Sequence, residues 1–200
     1  WYRDKSLKSY NFGDDLAPYL FGKLSGLNVK YVHYANSRIN ICKQLFSDLR
    51  TSDFSLFLFK NFILSFITTK YIISVGSIIQ TYSSSRAIVW GSGIINRNVE
   101  INKSDFLAVR GEYTRKRIEE LGFKPPKVMG DPALLLPLIF NPVVQKKYKL
   151  GVIPHVFHFE EFKKVFTSQD VLVIDLNTND IEKVLIDIKS CELTISTSLH

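Results

Sequence analysis

Two hundred residues with 46% hydrophobic and 22% charged side chains are enough for one large globular domain or two small ones, and they exclude a disordered chain. A formal charge of +7 favours anionic partners such as phosphorylated small molecules. That charge is spread along the chain without a basic block, which argues against a nucleic-acid-binding module.

The chain starts at Trp1 and not at methionine, so the natural start is expected to be missing. Trp1 to Asp4 reads as the tail of a strand. Asn11-Phe12-Gly13-Asp14-Asp15 reads as a turn, followed by a helix from Leu16 to Leu24 that stops at Ser25-Gly26. Either acidic residue of that loop, Asp14 or Asp15, can cap the helix or face a ligand. Val29 to Tyr34 alternates as a strand. Asp53 to Thr68 is strongly apolar, with Phe54, Phe57, Phe59, Phe62 and Phe66, but Lys60-Asn61 interrupts it and it is too short to span a bilayer. It reads as a buried helix, with an interfacial anchor as the alternative.

Four short apolar strands follow, each ending in small or polar turn residues. Tyr71 to Val75 ends in Gly76-Ser77, Ala87 to Trp90 in Gly91-Ser92-Gly93, Phe106 to Val109 in Arg110-Gly111, and Lys127 to Met129 in Gly130-Asp131. With helices between them, this rhythm predicts a parallel α/β sheet. None of the turns is a G-x-G-x-x-G or Walker A loop, so a standard dinucleotide or NTP site is not indicated. The third junction is the most informative. A strand runs into Arg110 and then into a helix, Tyr113 to Leu121, with Gly122 as its stop. A helix N-terminus offers unsatisfied N–H groups, and an arginine there adds a planar donor fork suited to phosphate or carboxylate. The competing reading is a solvated arginine at a strand end. Neighbouring strand-end turns on one rim favour the former.

Leu134 to Tyr148, with Pro137, Pro142, Lys146 and Lys147, reads as containing a linker, placed at 141–149 between a domain at 1–140 and a second at 150–200. In the second, a strand opens at Leu150 and runs to His155. A helix from Phe159 to Phe166, a strand from Val171 to Asp175, a helix from Thr178 to Ile188 and a strand from Leu193 to Ser196 follow. Two α/β units joined by a linker imply a cleft. His155 and His200 each follow a strand of the second unit, and histidine exchanges protons near neutral pH. The hydroxyls of Ser196, Thr197 and Ser198 either bind an anion or finish the strand. No G-x-S-x-G elbow is present, so no serine triad is argued. Cys42 and Cys191 lack metal-ligand spacing and read as small core residues of a reducing compartment. The chain stops at His200, straight after a strand, so the second domain is expected to be truncated.

Seven segments, NFGDDLAPYL, YIISVGSII, VWGSGII, AVRGEYTRKRIEELG, MGDPALLLP, LGVIPH and ISTSLH, run in order from Asn11 to His200. Together they resemble the polysaccharide pyruvyl transferase family. The resemblance implies an α/β fold of two Rossmann-like domains arranged as in GT-B glycosyltransferases. It implies transfer of the pyruvyl group of phosphoenolpyruvate (PEP) to a sugar, as a ketal, with release of phosphate. It places the family's acidic residue on Asp14 or Asp15, its strand-end arginine on Arg110 and its histidine on His200. Gly111 stands where many members have Asp, and Ser198 where some have Arg, which points to another branch of the family.

On this reading His200 is the acid, and Asp14 or Asp15 is the base or the group that orients the acceptor hydroxyl. Arg110, Ser196, Ser198 and His155 line the donor site. PEP is a co-substrate, and no metal or other cofactor is required. The partners are PEP and a saccharide acceptor, in family members often lipid-linked, with peripheral contact at the cytoplasmic face of the membrane and no nucleic acid. The alternatives are a GT-B-type glycosyltransferase using a nucleotide sugar and a non-catalytic glycan-binding homologue.

Overall fold

The computed structural model describes residues 10–29 and 70–197, together with the single positions 46, 63 and 67. The strands expected at Trp1 to Asp4 and at Val29 to Tyr34, the Asp53 to Thr68 stretch, Ser198 and His200 fall wholly or mainly outside the described residues. The chain divides into two compact units. One comprises Trp1–Asp4 and Asn28–Leu134, the other Lys5–Leu27 and Leu135–His200.

The first described element, α1 (Phe12–Ser25), begins four residues earlier than the sequence pattern suggests. Asn11 supplies the reason. Its side chain accepts from the Gly13 N–H at 3.0 Å, capping a helix whose first turn contains Asp14 and Asp15. The two acids therefore complement the helix dipole from inside the first turn, and the capping role belongs to Asn11. Phe12, Leu16 and Leu20, spaced by four, form the buried face. Gly26, in the left-handed region at φ 67°, ends the helix.

The first unit is built on β1 (Tyr71–Ile73), α2 (Ile79–Tyr82), β2 (Ala87–Trp90), β3 (Asp105–Val109), α3 (Glu112–Glu120) and β4 (Val128–Met129). Its four strands pair in sequence order, β1-β2-β3-β4, and every pair is parallel. Ile73, Val89 and Val109 from the strands meet Ile79 of α2 and Ile118 of α3 in one core. Strand alternation and helical spacing thus bury complementary faces. The end of α3 is a Schellman motif: the Phe123 N–H donates to Ile118 O at 3.0 Å and the Gly122 N–H to Glu119 O at 2.9 Å.

The second unit contains α4 (Leu136–Ile139), β5 (Tyr148–Ile153), α5 (Phe159–Val165), β6 (Val171–Val173), α6 (Ile181–Lys189) and β7 (Cys191–Ser196). Helical turns over Pro132–Leu135 and Leu136–Ile139 occupy part of the stretch read as a linker. Proline is tolerated in a first helical turn, where its missing N–H would have no partner anyway. The sheet is again parallel, but its order is β6-β5-β7. Gly151 in β5 lets β7 approach, because a Cβ there would lie 2.8 Å from Cys191 Sγ. Burial pushes the pKa of the Cys191 thiol up.

The domain expectation of 1–140 and 150–200 differs from this grouping at α1, which packs with the second unit. The Phe12 N–H donates to Leu176 O at 2.9 Å, and Tyr19 and Lys23 both reach Glu182 of α6. These are long-range contacts that no local pattern encodes. Among the described residues no helix is long and apolar enough to cross a membrane.

Candidate functional site

The carboxyl ends of β1 to β4 form a rim in which neighbouring loops hydrogen-bond to one another. Gly76 O, after β1, accepts from the Gly93 N–H at 2.9 Å and from Ser92 Oγ at 2.8 Å. Ser92 O accepts from the Arg110 N–H at 2.9 Å, and Val109 O from the Gly130 N–H at 2.9 Å. Gly91 is required twice over. It sits at φ +83°, and a Cβ there would fall 2.3 Å from the Pro132 ring.

Arg110 leaves the end of β3 at the centre of this rim, half-buried. Its Nη2 donates to Ser77 Oγ at 2.6 Å. Gly111 is the N-cap of α3 and offers no side chain to the first-turn N–H groups, and Glu112 of that turn pairs with Arg115 at 3.3 Å. Thr114 of the same helix is buried and accepts from the Ile94 N–H at 3.3 Å, tying α3 to the loop after β2. A fixed guanidinium beside a helix N-terminus is chemically suited to an anion with two oxygen clusters. A separate open groove of about 570 Å³ lies around Ile88, Phe106, Phe123 and Lys127. It involves the amino-terminal halves of β2 and β3, away from Arg110.

In the second unit the order β6-β5-β7 reverses direction at β5, so the crevice between the carboxyl ends of β5 and β7 is a topological switch point. His155 follows β5 and lies beside the end of β7, its backbone N–H donating to Thr197 Oγ1 at 3.0 Å. His155 Nδ1 caps the short turn Val156–His158, accepting from the Phe157 N–H at 3.4 Å. The Ser196 hydroxyl, at the end of β7, donates to Ile153 O at 3.1 Å. The N-terminus of α1 reaches the same edge of the sheet from the β6 side. The Tyr10 N–H donates to Asn177 Oδ1 at 2.6 Å, which joins the Phe12 contact just past β6. Asp14 and Asp15, half-buried, are therefore held at that edge.

Asp14, Asp15, His155 and Ser196 thus share the carboxyl edge of the second sheet, and Arg110 belongs to that of the first. Ser198 and His200 lie outside the described residues. Sequence reasoning did not single out Ser77, Gly93 or Asn11 for these contacts. Ser77 and Gly93 were visible as strand-end residues, but their link to Arg110 spans 33 and 17 positions, too far for any local pattern.

The polysaccharide pyruvyl transferase family model matches residues 11–200. An uncharacterised protein, L143, of Acanthamoeba polyphaga mimivirus is 29% identical over 134 residues, covering 63% of this chain and 46% of the relative. The chain therefore spans less than half the length of that curated relative in the matched region. No solved structure matches. With the family model covering Asn11 to His200, and parallel α/β units whose strand ends carry the matching segments, this chain belongs to the polysaccharide pyruvyl transferase family.

Proposed function

We propose that this protein is a ketal pyruvyl transferase, moving the pyruvyl group of PEP onto a sugar of a cell-surface polysaccharide or of its lipid-linked precursor. The observation that supports this reading best is Arg110, inside the family match, fixed at a strand end beside the N-terminus of α3. PEP carries a phosphate and a carboxylate, and both need cationic or oriented N–H donors. The two units are taken as the Rossmann-like halves of a GT-B-like fold, with Arg110 in the donor-binding half. The protein works in the cytoplasm, in peripheral contact with the inner face of the membrane.

The balanced reaction adds two sugar hydroxyls to C2 of PEP. The methylene carbon takes a proton and becomes a methyl group. The C2–O bond to phosphorus breaks and phosphate leaves. The two hydroxyls give up two protons, so one is left for the phosphate or solvent. His200 is the acid that protonates the methylene carbon. Asp14 or Asp15 orients one acceptor hydroxyl and takes its proton. His155, Ser196 and Ser198 are assigned to the donor.

Phosphate release from PEP in the presence of glycan acceptors tests the assignment. His200→Ala is expected to abolish turnover while PEP still raises the melting temperature. Normal turnover in that variant would remove His200 from the acid role. A nucleotide sugar that is consumed in place of PEP would move the assignment to a glycosyltransferase, and PEP binding with no turnover on any acceptor would favour a binding homologue.

A further inference from the structure

We infer that Ser77, together with the missing side chain at Gly93, sets the direction of the Arg110 guanidinium, making both positioning residues for the donor site. The geometric claim stands on the contacts alone, and its consequence for PEP rests on the function proposed above.

An arginine at a strand end has four rotatable side-chain bonds and loses about 2 kcal/mol of rotamer entropy when held in one geometry. Among the described residues, Ser77 and Gly93 both restrict Arg110. Laterally, Ser77 Oγ accepts a short hydrogen bond from the charged Nη2 at 2.6 Å. Beneath it, a Cβ on Gly93 would lie 2.7 Å from Nη2, 2.8 Å from Nε and 2.9 Å from Cζ. All three atoms belong to one guanidinium, so the group lies against the Gly93 backbone in space that only glycine leaves open.

Gly93 differs in this respect from the turn glycines around it. Gly76, Gly91 and Gly130 have positive φ, and Gly93 is absent from that set. Backbone conformation does not demand glycine at 93; the guanidinium does. The two positioning residues are themselves anchored. The Gly93 N–H donates to Gly76 O at 2.9 Å, and Gln80 Nε2 donates to Ser77 O at 2.7 Å. The loops after β1 and β2 therefore hold the side chain that β3 delivers. An added Cβ at 93 meets only the far end of a long side chain, so Gly93→Ala is expected to redirect Arg110 without unfolding the chain.

The test uses the whole chain with isotope-labelled arginine. Two resolved Nη environments are expected for Arg110, assigned by their loss in Arg110→Lys. They should collapse toward one averaged signal in Ser77→Ala, persist in Ser77→Thr, and shift in Gly93→Ala. The melting temperatures of Ser77→Ala and Gly93→Ala should stay within about 4 °C of the parent. PEP affinity, read by titration, should fall about tenfold in Ser77→Ala and Gly93→Ala, with Ser77→Thr restoring most of it. An Arg110 signal that is already averaged in the parent, or unchanged in Ser77→Ala, would overturn the positioning role. If the signals change as expected but Arg110→Ala binds PEP like the parent, the positioning role stands and the donor assignment fails.

Discussion

The two sheets use the same parallel architecture and finish their strand ends differently. In the first, the strands lie side by side in chain order, and loops from all four hydrogen-bond to a neighbour. That rim is stiffened by backbone contacts at Gly76, Gly91, Gly93 and Gly130 and presents a permanent charge, Arg110. In the second, the order reverses at β5 and opens a switch-point crevice. Its edge brings a titratable histidine, a hydroxyl and two carboxylates on a helix that arrives from the start of the chain. A closed rim suits holding an anion still, and an open edge with titratable groups suits moving protons. On the function proposed above, the first rim would serve the anionic donor and the second edge the proton transfers.

The comparison breaks most sharply at Gly91. Gly91→Ala would force an L-residue to φ +83° and drive its Cβ into Pro132, so a loss of about 3 kcal/mol is expected from strain and overpacking together. Urea unfolding of the whole chain measures it. A change below about 0.5 kcal/mol would mean the rim is far softer than its contacts imply.

The equivalent probe of the second unit is Leu20, fully buried on α1. Leu20→Ala is expected to cost about 2–4 kcal/mol and to raise amide exchange in α1 and α6 together, since Tyr19 and Lys23 tie the helices through Glu182. Exchange rising in α1 alone would show that the helix is not integrated with that unit.

Thr197→Val removes the acceptor for the His155 N–H and should cost about 1 kcal/mol. Its sharper effect should be on kcat, through misplacement of the turn that His155 caps. An unchanged kcat would confine Thr197 to the fold.

The smallest effect concerns pH. Hydrogen bonds from Lys23 and then from Tyr19 hold the Glu182 carboxyl below its usual range, while burial and Glu182 push the Tyr19 phenol up to about 12. A depressed carboxylate pKa gives stability that is present above the unfolded value and is lost as pH falls through the folded one. Glu182→Gln should therefore lower the melting temperature slightly at pH 7, with the difference vanishing in the acid range. An equal difference at both pH values would assign the effect to packing.

Much of the first rim was legible in the sequence because it is written locally. Ala87 to Trp90 is a strand with the expected bounds, Arg110 stands where strand gives way to helix, and Gly122 stops α3. The start of α1 was misjudged because Phe12-Gly13-Asp14-Asp15 looks like a turn until Asn11 is seen to cap it. What remained hidden depends on distance along the chain. The grip of Ser77 on Arg110, the lock of Pro132 over Gly91, and the docking of α1 by Leu176 all join residues that no periodic pattern links.

The most direct test is the melting temperature of the whole protein with saturating PEP, in the parent and in Arg110→Ala. A ligand that binds the native state raises it by mass action, by an amount equivalent to about 2.7 kcal/mol at a hundred times Kd. The account predicts a clear rise in the parent that is lost in Arg110→Ala, with both forms equally stable in its absence. A rise of the same size in both would contradict it, placing PEP somewhere other than the rim of the first sheet.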